Sequence, residues 1–209
     1  AVSDAEQSSK FNADADLAIQ TAEHYGTQHT EVMFTAEQCR DLYRLTAQAI
    51  DTPNANAVGL AQYVLSQKAK DDVDVVLIGA GGDELFGGYP RYRVVRALQM
   101  VQWMPAKLRQ LLGRSDIWGM QPDATLAVRL LARSSDEIDP LTSGNWFNSS
   151  ATNELIADRF DASLPALRAF MECDRTLWLP DESLRLSDAM TMASGLEARV
   201  PLLDPRIRA

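Results

Sequence analysis

Residues 73–93, VDVVLIGAGGDELFGGYPRYR, decide how this chain is to be read. Val73, Val75, Val76, Leu77 and Ile78 make a short β-branched and aliphatic run. That is the composition of a strand buried on both faces in a parallel sheet. Gly79, Gly81 and Gly82 break the run, and Asp83-Glu84 follows at once. A glycine-rich turn after a buried strand faces backbone amides outward, where they can hold a phosphate or another anion. An acidic residue there can hold magnesium beside it, and open α/β sheets place their ligands at this end of their strands. An ordinary strand–turn–helix connection, with Asp83 and Glu84 favourable near a helix N-terminus, accounts for glycine and acid alone.

The full string says more. GxGGDELFGGYxRY resembles the synthetase (ATP-pyrophosphatase) domain of the glutamine-dependent asparagine synthetases, which runs Ser-Gly-Glu/Asp-Gly-x-Asp-Glu-Leu/Val-Phe-Gly-Gly-Tyr. Residues 179–204, LPDESLRLSDAMTMASGLEARVPLLD, resemble the closing signature of that family, Asp-Arg-Met-Ser-Met-Ala and then Leu-Glu-x-Arg-x-Pro-Phe-Leu-Asp. The spacing from Asp188 through Met192 and Ala193 to Glu197, Arg199, Pro201, Leu203 and Asp204 is kept. Weaker matches lie in front: Ala22 to Glu31 is similar to the family's Ala-Glu-x-x-Gly-Thr-x-His-x-Glu, and Asp51-Thr52-Pro53 stands where Asp-Glu-Pro is common. The resemblance covers about residues 10–205.

Composition sets bounds. With 209 residues, 46% of them apolar, the chain can bury a core in one or two domains. Its net charge of −9 argues against a nucleic-acid or anionic-membrane surface, but not against ATP, which needs only local positive charge. No apolar run approaches the length of a membrane span, and AVSDAEQSSK has no signal-peptide core. Cys39 and Cys173 stand alone, outside any CxxC or Cys/His cluster, as reduced, semi-buried thiols of a cytoplasmic protein. His24 and His29 read as structural.

Along the chain, the first ten residues read as loose. The pattern predicts a helix from Phe11 to Tyr25, with Leu17 and Ile19 on its apolar face and Gly26 as its stop. It predicts a short strand at Glu31–Phe34 and a helix from an N-cap at Thr35 to about Ile50, ended by Pro53. A further helix spans Ala57–Lys70, with Leu60, Tyr63, Val64 and Leu65 inward, and the strand 73–78 follows. Helical periodicity then marks 92–112, 122–133, 154–160, 165–178 and 182–193, with a surface linker at 134–150 and no further strand. The expected class is α/β: an incomplete parallel sheet flanked by helices (residues 1–93), then a mostly helical second half (94–209).

The resemblance implies an adenine-nucleotide-α-hydrolase-like fold and adenylation followed by displacement. Aspartate and ATP give β-aspartyl-AMP and pyrophosphate; ammonia then gives asparagine and AMP. It implies ATP and magnesium as cofactors, and aspartate, ATP and AMP as partners. The family's pyrophosphate loop, Ser-Gly-Gly-x-Asp-Ser, does not occur in this sequence, nor does its N-terminal glutaminase domain, so the chain is expected to be a fragment that self-associates where the absent strands would pack.

By position, Ile78, Gly79, Gly81 and Gly82 are expected to meet the nucleotide, Ile78 replacing a serine. Asp83 falls on a magnesium–pyrophosphate aspartate. Glu84 and Tyr89 either brace the turn or take part in chemistry, and Phe86 is core. Ala80 replaces the family's acid. Leu186 and Ala189 stand where a lysine or arginine flanks Asp188, no lysine follows Lys107, and Arg185 is the nearby substitute cation. Glu197 and Arg199 match either a substrate role or a buried ion pair before Pro201. Met190 and Met192 read as core, and Arg91, Arg93 and Arg96 as a solvated helix face. Three readings follow: the back part of an asparagine-synthetase-like ligase, inactive as this chain; a non-catalytic binding module on the same fold; or a related amidotransferase or β-lactam-synthetase-like ligase with another acid substrate.

Overall fold

The computed structural model describes residues 9–33, 35–52, 54, 56–109, 116–132 and 149–208. The chain forms two compact units: residues 1–78 with 185–199, and residues 79–184 with 200–209.

The first unit holds helices α1 (Ser9–Tyr25), α2 (Ala36–Ile50) and α3 (Val58–Lys70), strand β1 (Val75–Leu77), helix α10 (Arg185–Met192) and strand β2 (Glu197–Arg199). Gly26, at φ 63°, ends α1 as expected. Thr35 opens α2 with a complete capping box. Its hydroxyl accepts from Gln38 N at 3.2 Å and its own N–H donates to Gln38 Oε1 at 2.8 Å. Helices α2, α3 and α10 pack around Tyr63, Leu186 and Met190. Gly59 permits the approach of α3 to α10, because a Cβ there would lie 2.9 Å from Leu186 Cδ1. The two strands run parallel, pairing Val75 with Glu197, Val76 with Ala198 and Leu77 with Arg199.

The second unit contains α4 (Gly82–Phe86), α5 (Pro90–Val101), α6 (Ala106–Arg109), a 3₁₀ turn (Asp116–Gly119), α7 (Ala124–Leu131), α8 (Ser149–Arg159) and α9 (Ala166–Cys173). A wide π-type helix at Asp174–Leu184 follows, and a 3₁₀ turn (Pro201–Leu203) and α11 (Pro205–Arg208) complete the unit. Tyr92, Val95 and Leu98 project from one face of α5 into a core with Leu126, Ala127, Ile156, Phe170 and Cys173. Asp123 caps α7, its carboxylate accepting from Thr125 N and Leu126 N. Burial pushes the Cys173 thiol up to about 11, and both cysteines are free.

The α/β class with a small parallel sheet flanked by helices is what the structure shows. Several elements differ from the sequence reading. A strand does follow Ile78: β2, whose Glu-Ala-Arg carries no strand propensity and is defined by its partner. The first strand is confined to 75–77 and is not buried on both faces, since Val75 is 46% and Leu77 73% exposed. Only the face carrying Val76 and Ala198 is partly covered. Residues 31–33 form no strand, and Phe34 lies outside the described residues.

The helical stretch expected over 92–112 begins at Pro90 and breaks before Pro105, which has no N–H to continue the ladder; 110–112 lie outside the described residues. The stretch expected at 165–178 runs on to Leu184 within the second unit, winding wide around Pro180, and α10 of the first unit begins at Arg185 rather than at Glu182. Helix α8 begins at Ser149, inside the expected linker and ahead of the expected start at Glu154. Helix α1 begins at Ser9, within the stretch expected to be loose. Leu17 and Leu65 are exposed rather than inward. Residues 1–8, Pro53, Arg133 and 134–148 lie outside the described residues. Among the described residues no helix is long and apolar enough to cross a membrane.

Candidate functional site

In the second unit the glycine string builds a short, tightly specified corner. Gly81 takes φ 88° at the entry to α4, where a Cβ would also collide with the Leu203 side chain. At Gly82 a Cβ would stand 3.3 Å from Leu202 Cδ1. The turn therefore rests directly on the Leu202-Leu203 pair of the closing string. Gly87, at φ 75°, ends the helix by donating to Asp83 O at 2.9 Å. Gly88 lacks room for a Cβ because the Asp83 carboxylate lies against it. Asp83 is exposed, and Gly79 is open, with nothing near where a Cβ would stand.

Behind the turn, Glu84 is only 3% exposed and accepts from Tyr89 Oη at 2.7 Å. The Arg91 guanidinium stacks on the Tyr89 ring at 3.8 Å, and its Nε donates to Asp174 Oδ2 at 2.8 Å. Tyr92 Oη donates to the same oxygen at 2.6 Å, and Asp174 is fully buried. Glu84 and Tyr89 thus brace the corner from inside, tied through Arg91 to the π-type helix. This corrects the solvated-face reading for Arg91, which is mostly buried, while Arg93 and Arg96 are exposed. Asp174 escaped sequence reading altogether. The one available signal was an arginine set between Tyr89 and Tyr92, a spacing that suits cation–π stacking.

Burial first, then hydrogen bonding to Glu84 and Asp174, raises the pKa of Tyr89 and Tyr92 well above the ordinary tyrosine range. Raised folded-state values mean that the folded form keeps these protons while the unfolded chain loses them near pH 10. Their contribution is fully present below about pH 10 and lost above it. Alkaline titration should show unfolding coupled to tyrosinate absorbance above that pH, reduced in Tyr92→Phe. An unchanged alkaline midpoint in that variant contradicts the assignment.

In the first unit, Ile78 N donates to Arg199 O at 2.9 Å, prolonging the β1–β2 pairing into the residue that precedes the turn. Glu197 and Arg199 do form an ion pair, at 2.8 Å, but both side chains are more than half exposed, so the expected buried pair is corrected to a surface one. They share the exposed sheet face with their register partners Val75 and Leu77. Arg185 is not joined to them; it donates to Thr52 and is exposed.

Leu186, where the family has a cation, is 2% exposed in the core beside Tyr63 and Met190, and Ala189 packs against the same cluster. Met190 is buried but Met192 is 58% exposed. Residues two apart point about 200° from one another on a helix and cannot share a face. Phe86, read as core, is 68% exposed, because the five-residue α4 turns it outward.

Among the described residues no group of three or more His, Cys, Asp or Glu side chains is gathered as a metal site. Asp83 offers one carboxylate, Ala80 offers none, and Glu84 is turned inward to Tyr89. Alone, these side chains do not make a magnesium site. What the corner offers is open backbone at Gly79 and a single exposed carboxylate at Asp83.

The Asparagine synthase family model matches residues 4–208 of the chain. Asparagine synthetase (glutamine-hydrolysing) 1 of Bacillus subtilis is 26% identical over 209 residues, covering 92% of this chain and 33% of its own length. Asparagine synthetase (glutamine-hydrolysing) 3 of the same organism is 25% identical, covering 96% of this chain and 30% of its own. Asparagine synthetase B (glutamine-hydrolysing) of Escherichia coli is 35% identical over 79 residues, 36% of this chain and 14% of its own. The chain spans about a third of the length of the curated relatives it matches over most of its residues. No solved structure matches it.

Proposed function

The chain belongs to the asparagine synthase family, and from that premise we propose that it is the back part of an ATP-dependent amide-forming ligase domain that keeps the nucleotide corner but not the chemistry. The observation that carries this is the meeting of the two distant strings. Residues 75–78 pair with 197–199 in one unit, and Gly81-Gly82 rests on Leu202-Leu203 in the other. Each contact supports the reading within its own unit, because α/β folds meet ligands where a strand gives way to a turn.

In the reaction proposed for the whole protein, an aspartate carboxylate oxygen attacks the α-phosphorus of ATP and pyrophosphate leaves. Ammonia, supplied directly or from glutamine by a separate glutaminase domain, then attacks the acyl carbon and AMP leaves. Here the backbone at Ile78 and Gly79 would meet the nucleotide and Asp83 would face the phosphates. The family's magnesium would need ligands beyond Asp83, so no step is assigned to it. Cytoplasmic residence goes with this reading.

A second reading, a binding module that kept the fold, is favoured by three departures from the family pattern: Ala80, Leu186 in the core, and Ala189. A β-lactam-synthetase-like ligase or another amidotransferase is a third reading; in the β-lactam-forming relatives the Ala80 position need not be acidic, but a downstream lysine is still expected.

Nucleotide binding is the test. Titrating AMP into ¹⁵N-labelled chain should shift the amides of 78–83, weakly and saturably, ahead of the remaining residues. Shifts confined to other segments, or none at millimolar AMP, would sink the proposal.

The exposed apolar run Val73, Val75 and Leu77 also supports self-association of this chain through the uncovered sheet face. Light scattering should show mass above a monomer at high concentration, falling in Leu77→Lys. A strict monomer in the parent chain would count against it.

A further inference from the structure

Phe86 is a signature residue for which the nucleotide corner has no use. It is 68% exposed and, with Leu85, Leu167 and Met171, lines a cleft of about 520 Å³ between α4 and α9 in the second unit. That volume is in the range of small-molecule sites.

The polar side of the cleft is supplied by α9 and the start of the π-type helix. Arg175 Nε donates to Glu172 Oε2 at 2.8 Å, and its Nη2 pairs with the other oxygen, so that pair largely satisfies itself. Glu84 also lines the cleft, but it is 3% exposed and committed to Tyr89. Arg168 lines the cleft too, is exposed, and has no acidic partner among the described residues. The cleft's lining carries two acidic and two basic side chains, and Arg168 is the accessible one that stands outside an ion pair among the described residues.

We propose that this cleft is a second ligand site that takes an organic anion, a carboxylate or sulfonate on a flat apolar body. The body lies against Phe86 and the leucine–methionine wall, and the anion meets the Arg168 guanidinium. A planar guanidinium suits a carboxylate or sulfonate fork, and an exposed aromatic ring suits a flat partner. The proposal does not depend on the nucleotide reading of residues 78–83.

The probe is 2-naphthoate, titrated into the ¹⁵N-labelled 209-residue chain. Saturable shifts are expected at the amides of Leu85, Phe86 and 167–175. Affinity should fall about tenfold in Arg168→Gln, the usual scale for losing one charge-assisted contact, and by a similar factor in Phe86→Ser. Uncharged 2-naphthol should bind about tenfold more weakly than the anion for the same reason. Both substitutions are at exposed positions, and circular dichroism confirms that the variants fold. The proposal is overturned if shifts do not saturate or if they centre on the β1 face. It is equally overturned if Arg168→Gln binds as tightly as the parent, or if 2-naphthol matches 2-naphthoate.

Discussion

Replacing Asp174 by alanine is expected to remove about 3–5 kcal/mol of stability from the second unit, the usual cost of stripping one partner from a buried ion pair. Asp174 is fully buried, and its Oδ2 accepts from both Arg91 Nε and Tyr92 Oη. The substitution leaves a guanidinium with 19% of its side chain exposed facing a cavity, and a buried tyrosine hydroxyl without its acceptor.

The pair itself is not the reason for the large effect. Asp174 Oδ1 and Arg91 Nη2 are buried without a hydrogen-bond partner among the described residues, so much of its Coulomb gain is spent on desolvation. Replacing both ends by apolar residues, Arg91→Met with Asp174→Leu, should therefore recover most of the loss. Urea unfolding followed by tryptophan fluorescence reads the effect cleanly. Trp103, Trp118, Trp146 and Trp178 all fall in the second unit's stretch of chain. With a urea slope of about 2 kcal/mol per molar, the midpoint should drop by about 2 M. A drop below about 0.3 M, equivalent to about 0.6 kcal/mol on that slope, would show that the network is not what holds α5 to the π-type helix.

The corner was largely legible in the sequence because glycine leaves a steric signature. Gly81, Gly87 and Gly88 sit where a positive φ or the Asp83 carboxylate excludes a side chain, and a string of such demands reads the same wherever it occurs. The capping box at Thr35 was legible for a similar reason, being local and chemical.

What depends on distant partners was not legible. Strand β2 is Glu-Ala-Arg, a strand only because Val75–Leu77 lies beside it. Arg91 and Arg93 are alike in sequence, but they lie two apart on one helix and face opposite ways; Arg91 meets Asp174 and is covered, while Arg93 is left in solvent. Phe86 and Met192 read as core from residue type alone, but a five-residue helix and a two-residue offset put them outside. The apolar run at 73–78 matched a doubly buried strand in composition, yet the described residues cover one of its faces.

The second large effect concerns turnover. Supplied with ATP, aspartate, magnesium and ammonia, the 209-residue chain is expected to release no pyrophosphate above background. Ala80 cannot take a proton from the attacking ammonia, which stops turnover after the adenylate; the other losses fall on the pyrophosphate-releasing step itself. Leu186 and Ala189 put aliphatic side chains into the core where the family pattern carries a cation, and the chain contains no Ser-Gly-Gly-x-Asp-Ser string to grip pyrophosphate. Each such loss costs on the order of a hundred- to a thousand-fold in rate, and several together leave nothing measurable. Restoring the acid alone, in Ala80→Glu, should not rescue turnover, because Leu186 and Ala189 still stand in place of the flanking cation and the Ser-Gly-Gly-x-Asp-Ser string is still missing from the sequence.

The decisive measurement is pyrophosphate release by the parent chain beside its Asp83→Asn variant, with ammonia supplied directly. Identical background traces from the two are the predicted result; turnover in the parent that disappears with Asp83 would show a complete and working synthetase site and contradict the account.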